Sequence, residues 1–434
     1  MNHFRPLALA LALAAGAPAA EPAAGAFATG QYRNLFKEYL GRSDAEIAAK
    51  IGAAWQQLFA GDPATQRLYY PVPGDMAYIP DVGNRDVRTE GLSYGMMICV
   101  QLDHQPEFNA LWKFARTHMY RDRGPLRGYF TWHTADNGSM TRDDGSEVKG
   151  GGPAPDGEEW FVMALFFASH RWGDGAGIFN YGAEAQALLR TMLHKHEEPG
   201  REDITDMFDR ETKQIVFTPH PPGDKFTDAS YHLPAFYELW ARWAAAPEDR
   251  VFLAEVAKTS REFFKKSAHP QTGLMPNYSG FDARPVGRRW AADEFREDAW
   301  RTLSNPALDW SWWAADPWEQ EQSNRVLSFF ARQPPDDWPD HIRTDGTPLR
   351  SGEKSAGLYA MAAAAGLAAD PAVAQPFVQR LWNMRIPDDV GRNHDGVRKE
   401  GELRSRRYYD GLLTMLALLE VSGNFRIYAP THGK

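Results

Sequence analysis

The sequence predicts an all-α fold: one domain built as a closed ring of six helical hairpins. Three observations predict it. Six times a polar or ionisable cluster opens a long, almost wholly apolar stretch, at Glu90, Asp156, Tyr231, Asp298, Lys354 and Asp410. These openings follow one another at 66, 75, 67, 56 and 56 residues. The apolar stretches also alternate with amphipathic ones. A helix that is apolar on every side must be buried, whereas an amphipathic helix can cover it. In a ring of such hairpins the inner helices run parallel, so their polar openings share one face. Repetition of this kind lets a single unit outgrow the usual domain size.

The elements follow in order. Met1 to Arg5 carry positive charge, Leu7 to Ala15 are apolar, and Ala17-Pro18-Ala19 offers a small-x-small cleavage site. Residues 1–19 therefore read as a secretory signal peptide, and the chain as secreted or periplasmic. The apolar run is too short to span a bilayer. Residues 20–30 read as a flexible lead-in, and the ring domain occupies 31–430. Ser43 and Glu46 form a capping box that opens an amphipathic helix to about Phe59. A loop bearing Pro71, Pro73, Gly74, Pro80 and Gly83 leads to Glu90. Inner and outer helices are then expected in pairs: 92–103 with a partner starting at Pro106, 158–172 with 181–195, 232–246 with 248–266, 299–313 with 317–332, and 356–368 with 371–383. The last inner helix is expected over 406–421, with the helix around 31–58 closing the circle. G-Y-F-T-W-H near residue 130 reads as a short strand. The long loops 200–229, 270–297, 334–352 and 385–405 all lead into inner helices, so they belong to the polar face, where loops build binding clefts.

Bulk composition narrows the function. Of 434 residues, 43% are hydrophobic and 24% charged, which is ordinary globular composition. A net charge of −9 disfavours nucleic acid, because phosphate binding needs a basic surface. No later stretch reaches eighteen uninterrupted apolar residues, so no membrane partner is expected. The lone Cys99 permits no intramolecular disulfide and reads as a buried, inert thiol. Fifteen Trp and sixteen Tyr supply flat faces of the kind that stack on sugar rings. His170, His194, His196 and His220 show no metal-binding spacing, and neither metal nor cofactor is expected. His194-Lys195-His196 reads as a helix surface.

Six residues could carry chemistry. Glu90, where a loop meets a buried helix, can be partly desolvated, which raises a carboxyl's pKa and suits a general acid. Asp156 sits in A-P-D-G-E-E before the most apolar helix. Asp298 and Arg301, three apart, share a helical face, and a carboxylate beside a guanidinium stays ionised, as a water-activating base requires. Tyr231 can hold a water or a sugar hydroxyl, and Trp132 can stack on a sugar ring. Each also has an ordinary reading. Glu90 answers a helix dipole, Asp156 is an N-cap, Asp298 and Arg301 are an intrahelical ion pair, and the two aromatics are packing. Two carboxyls of unlike environment with aromatics around them make the pattern of glycoside hydrolysis.

At these residues the chain resembles glycoside hydrolase family 8, from about residue 27 to 430. A-P-D-G-E-E-W-F-V-M-A-L-F-F-A-S-H-R-W (154–172) is similar to that family's signature, departing at Pro155, Glu158, Phe161 and Val162. V-R-T-E-G-L-S-Y-G-M-M (87–97), F-F-A-S-H-R-W-G-D-G (166–175), S-Y-H-L-P (230–234), H-P-Q-T-G-L (269–274) and S-G-N-F (422–425) resemble its reducing-end xylose-releasing exo-oligoxylanase branch. The resemblance implies an (α/α)6 barrel and an inverting mechanism. Glu90 would be the general acid and Asp298 the general base. Asp156, Tyr231, Arg301 and Trp132 would bind sugar or water around the cleavage point. The implied partner is a xylo-oligosaccharide or xylan, met by a monomer. The exo-acting branch blocks its cleft with a loop histidine. Here R-S-G-E-K-S-A-G-L (350–358) is a residue shorter and lacks it, with Glu353 or Lys354 as candidate substitutes. An endo-β-1,4-xylanase with an open cleft is therefore the alternative. A glucanase, a chitosanase or a non-catalytic sugar-binding protein stands behind both.

Overall fold

The computed structural model describes residues 24–287, 292–334, 338–349, 355–389 and 407–430. The predicted signal peptide and residues 350–354, with Glu353 and Lys354, lie outside them. Helices dominate. Three precede the first repeat: α1 Ala26–Thr29, α2 Leu35–Leu40 and α3 Asp44–Trp55. Paired helices follow: α4 Thr89–Leu102 with α5 Gln105–Phe114, α6 Pro155–Trp172 with α7 Tyr181–His194, and α8 Pro234–Trp243 with α9 Pro247–Ser267. The series continues with α10 Asn305–Trp313 and α11 Trp318–Ala331, then α12 Ala356–Ala365 and α13 Pro371–Asn383, and ends at α14 Tyr409–Val421.

The even-numbered helices from α4 to α14 are the apolar ones, and they are buried along nearly their whole length. In α4 only Glu90 and Leu102 escape full burial. Each touches the next. α4 packs on α6, α8 on α10, α10 on α12, α12 on α14, and α14 returns to α4. α6 meets α8 through Trp160, edge-on to Phe236 at 5.1 Å. Their odd-numbered partners bury one stripe each: in α9, Leu253, Val256, Ala257, Ser260 and Phe264 recur at helical spacing. α3 packs on α14, as the helix expected to close the circle should. It carries the capping box read from Ser43 and Glu46. Cys99 is buried and free.

Three local expectations fail. The lead-in is ordered from residue 24 onward: α1 docks on α10, where Phe27 stacks on Trp313 at 4.3 Å and Arg242 lies 5.0 Å over Phe27. An aromatic clasp holds a segment whose Ala and Gly content reads as loose. His194 and Lys195 are not a surface. His194 Nε2 lies 2.6 Å from Asp249 Oδ1, joining α7 to α9, and Lys195 Nζ donates to the Arg127 carbonyl at 2.7 Å. Finally, the helix expected from residue 299 starts at Asn305. Glu297–Leu303 winds as a 3₁₀ segment instead, entered from a Glu297 backbone with φ 37°.

Short antiparallel strands pin the loops of the polar face. Asp86–Arg88 lies between Pro80–Asp81 and the strand His133–Thr134 expected near residue 130. Glu294–Arg296 pairs with His341–Arg343 just before Asp298. Among the described residues no helix is long and apolar enough to cross a membrane.

Candidate active site

Glu90 stands in the first turn of α4, and Arg88 precedes that turn in extended conformation. Asp156 stands in the first turn of α6, started by Pro155 at its first position. Asp156 does not cap its helix; its Oδ1 accepts from the Gly157 amide at 2.9 Å and its Oδ2 faces outward to a guanidinium. Close approach of α4 and α6 brings these two starts together. A Cβ on Gly157 would lie 2.2 Å from Thr89 Oγ1, so only glycine fits.

Arg301 is the hub. It arrives on the 3₁₀ segment and is almost wholly buried. Its Nη1 donates to Glu90 Oε2 at 3.2 Å, to Asp156 Oδ2 at 3.3 Å and to the Tyr94 hydroxyl at 2.6 Å. Its Nη2 donates to Ser230 Oγ at 2.8 Å and lies 3.4 Å from Asp298 Oδ1. Asp298 and Arg301 share a face as their spacing predicts. One planar guanidinium thus spans the Glu90 and Asp298 carboxyls, capping their oxygen separation at about 9 Å, near the upper end of the spacing that inverting glycosidases use.

One positive charge cannot hold three carboxylates ionised in a buried place, and Glu90 yields. Burial pushes its carboxyl up to about 8; Arg301 opposes the shift, while Asp156 and Asp298 add to it. Burial raises Asp156 as well, against Arg301. Asp298, by contrast, keeps a third of its side chain exposed. A protonated acid facing an ion-paired, solvent-reached carboxylate is what concerted general acid–base chemistry needs.

Tyr231 ends the turn Ala229–Tyr231, and Arg301 lies 5.7 Å over its ring. Burial lifts its hydroxyl well above the ordinary range, helped by Asp156, Asp228 and Asp298. Trp132 adjoins Glu90: its carbonyl accepts from the Thr89 amide at 2.9 Å, and Arg88 lies 5.3 Å over its ring. Five of the six residues singled out in the sequence therefore gather at the starts of α4, α6 and α8 and on the segment leading into α10, and Trp132, before the strand His133–Thr134, is tied to the start of α4 by its carbonyl. Asp410 does a different job, accepting from Ser355 Oγ at 2.7 Å and the Gly357 amide at 3.0 Å, and so fastening α12 to α14.

Several participants were not singled out. The Tyr408 hydroxyl donates to Glu90 Oε1 at 3.0 Å, and its ring occupies the space a Gly91 side chain would need. Tyr94 is another, its hydroxyl held by Arg301. Ser230 links Arg301 to the fully buried Asp228, whose Oδ1 accepts from Ser230 Oγ at 2.7 Å; burial, then Asp298, pushes Asp228 up to about 8. Tyr408 stands two residues before Asp410, and its place in that polar opening was the available signal. Glu158 and Glu159, beside Asp156 in the same acidic cluster, are wholly buried, and burial raises both carboxyls well above the ordinary range.

The family model described as glycosyl hydrolases family 8 matches residues 78–422. The chain belongs to that family. The reducing-end xylose-releasing exo-oligoxylanase Rex8A of Paenibacillus barcinonensis is 42% identical over 93% of this chain and 98% of its own length. A reducing end xylose-releasing exo-oligoxylanase of Halalkalibacterium halodurans is 42% identical over 94% and 97%. Among solved structures, Rex8A complexed with xylose superposes with a TM-score of 0.83, at 41% identity, covering 93% of this chain and all of that one. A family 8 xylobiose complex from Teredinibacter turnerae gives the same TM-score of 0.83 at 40% identity, covering 94% of this chain. The chain is a glycoside hydrolase, and among its described residues no cluster could hold a metal ion.

Proposed function

We propose that this family 8 hydrolase cleaves β-1,4-xylosidic bonds in xylo-oligosaccharides with inversion, releasing xylose from the reducing end. The observation that carries the reading is the Arg301 bridge. It joins an acid held protonated, Glu90, to a carboxylate open to water, Asp298, across one polar face. The six buried helices and their partners then form the (α/α)6 barrel on which the two groups face each other. The relatives' names supply the substrate class and the end attacked.

In the reaction, the Glu90 carboxyl gives its proton to the leaving glycosidic oxygen. Asp298 takes a proton from a water attacking the opposite face of the anomeric carbon, and the product forms with inverted configuration. Arg301 and Asp156 hold sugar hydroxyls at the cleavage point, Tyr231 holds the water, and Trp132 stacks on a pyranose ring. No cofactor is needed. Glu90→Gln and Asp298→Asn are each expected to lower kcat by about 10²–10⁴-fold with binding retained. A near wild-type rate in either variant removes that residue from its role.

The endo reading has support of its own, since a Teredinibacter turnerae relative solved with xylohexaose, at 42% identity, is called a xylanase. Xylotriose to xylohexaose labelled at the reducing sugar decides between them. Early release of labelled monosaccharide alone is the expected result; mixed internal fragments, with rapid cutting of polymeric xylan, would establish the open-cleft alternative. Residues 1–19 direct export in this reading. N-terminal sequencing of the exported protein should begin at Ala20, and an intact Met1 on cytoplasmic protein would refute it.

A further inference from the structure

We propose that His133 is a positioning residue for sugar binding: clamped between the Asp86 carboxylate and the backbone of residues 149–150, it fixes the ring plane of Trp132. His133 is buried in the strand next to the one that leads into α4. Its Nδ1 lies 3.1 Å from Asp86 Oδ2, and its Nε2 lies 2.7 Å from both the Lys149 and the Gly150 carbonyl oxygens. A neutral imidazole offers one donor and one acceptor. Here both nitrogens meet oxygens that only accept. Burial would raise the Asp86 carboxyl, but His133 and Arg88 together hold it below the ordinary range, so it is ionised. Arg88 Nε reaches Asp86 Oδ1 at 2.9 Å, and Arg88 Nη1 lies 3.0 Å from Asp81 Oδ2. Acceptors therefore hold the ring at both of its nitrogens, and two carboxylates and one guanidinium surround it. The double carbonyl contact depends on Gly150 at φ +90°, where other residues are strained.

On this clamp sits Trp132. The His133 ring stacks against the indole with centroids 3.6 Å apart and planes 12° from parallel. Arg88 places a cation 5.3 Å from the same indole. The Trp132 amide donates to the Gly152 carbonyl at 2.9 Å, in the loop that runs into Asp156, while its carbonyl receives the Thr89 amide just before Glu90. One histidine thus ties together the strand entering Glu90, the loop entering Asp156 and the aromatic platform between them. A platform fixed before substrate arrives spends no binding energy on ordering itself, so losing the clamp shows in KM before kcat.

The inference rests on Trp132 being a sugar platform, and the test separates the two. In the full chain, His133→Gln is expected to raise KM for xylotetraose about 10-fold and to change kcat by less than about 3-fold. Trp132→Ala should raise KM at least as much, and the double variant should add little to it. Asp86→Asn, which keeps the oxygen but removes the charge, should reproduce the KM effect and guards against His133→Gln failing to fold. Wild-type KM in both His133→Gln and Asp86→Asn beside a raised KM in Trp132→Ala overturns the clamp alone. Wild-type KM in Trp132→Ala overturns the platform and the clamp together.

Discussion

Glu90 shows how one residue's environment sets its task. Burial favours its protonated form, Asp156 and Asp298 reinforce that preference, and Arg301 restrains it, leaving the group near 8. A general acid works only while it holds its proton, so kcat/KM should fall on the alkaline side as pH rises through about 8. The sign under mutation follows. Asp156→Asn removes a negative neighbour that raises Glu90 and frees Arg301 Nη1 to serve it. The alkaline limb should therefore move to lower pH, alongside weaker substrate binding. A limb that stays in place or moves upward in the pH–rate profile would show that Asp156 does not act on Glu90 by charge. Arg301 is the residue least replaceable here. Lysine offers a compact ammonium rather than a planar fork and cannot serve Glu90, Asp156, Tyr94 and Ser230 at once.

At the scale of elements, the site is a meeting of helix starts, and its tolerance is set where helices touch. Gly157 lets α6 approach α4 so closely that an alanine methyl would sit 2.2 Å from Thr89 Oγ1. Gly157→Ala should cost about 1–3 kcal/mol of stability, measured by thermal or denaturant unfolding, and should lower kcat because Thr89 adjoins Glu90. Unchanged stability and rate would mean that the approach is not constrained as drawn. Contacts of this kind also mark what the sequence could disclose. The inner helices were legible because burial on all sides leaves an unbroken apolar run, and the outer ones because one-sided burial leaves a stripe. The carboxylates were legible as polar breaks at the head of those runs. The local pattern shows Arg301 only as Asp298's neighbour, and its place at the cleavage point comes from the family resemblance, because its bonds to Glu90 and Tyr94 join positions 211 and 207 residues apart, and no local pattern encodes them. The 3₁₀ segment before α10 was misread for a related reason: the Glu294–Arg296 strand and a left-handed Glu297 fix it, not the helical propensity of its own residues. His194 looked like surface because its partner Asp249 lies on another helix.

For the molecule as a whole, the inner layer buries acids at both ends, and only one end bears the site. Glu420, in the last turn of α14, is ten positions from Asp410, about 15 Å along the helix. Burial pushes its carboxyl up to about 8, and among the described residues its Oε2 has no hydrogen-bond partner. Unfolded, the same group titrates in the ordinary carboxyl range. Between that range and about 8 the folded chain binds the extra proton, so stability must fall as pH rises through this window. The linkage is worth on the order of 5 kcal/mol. Glu420→Gln, neutral at every pH, should match wild-type Tm near pH 5 and exceed it increasingly toward pH 8. Its kcat should stay unchanged, because the substitution lies a helix length from Glu90. Asp228 and Glu319, raised by burial to about 8 and about 12, tilt stability in the same direction and persist in both proteins. The difference between the two Tm curves therefore isolates Glu420. A flat difference, or one that grows toward acid, would show that this carboxyl is ionised in the folded chain and that the inner layer admits water at its far end.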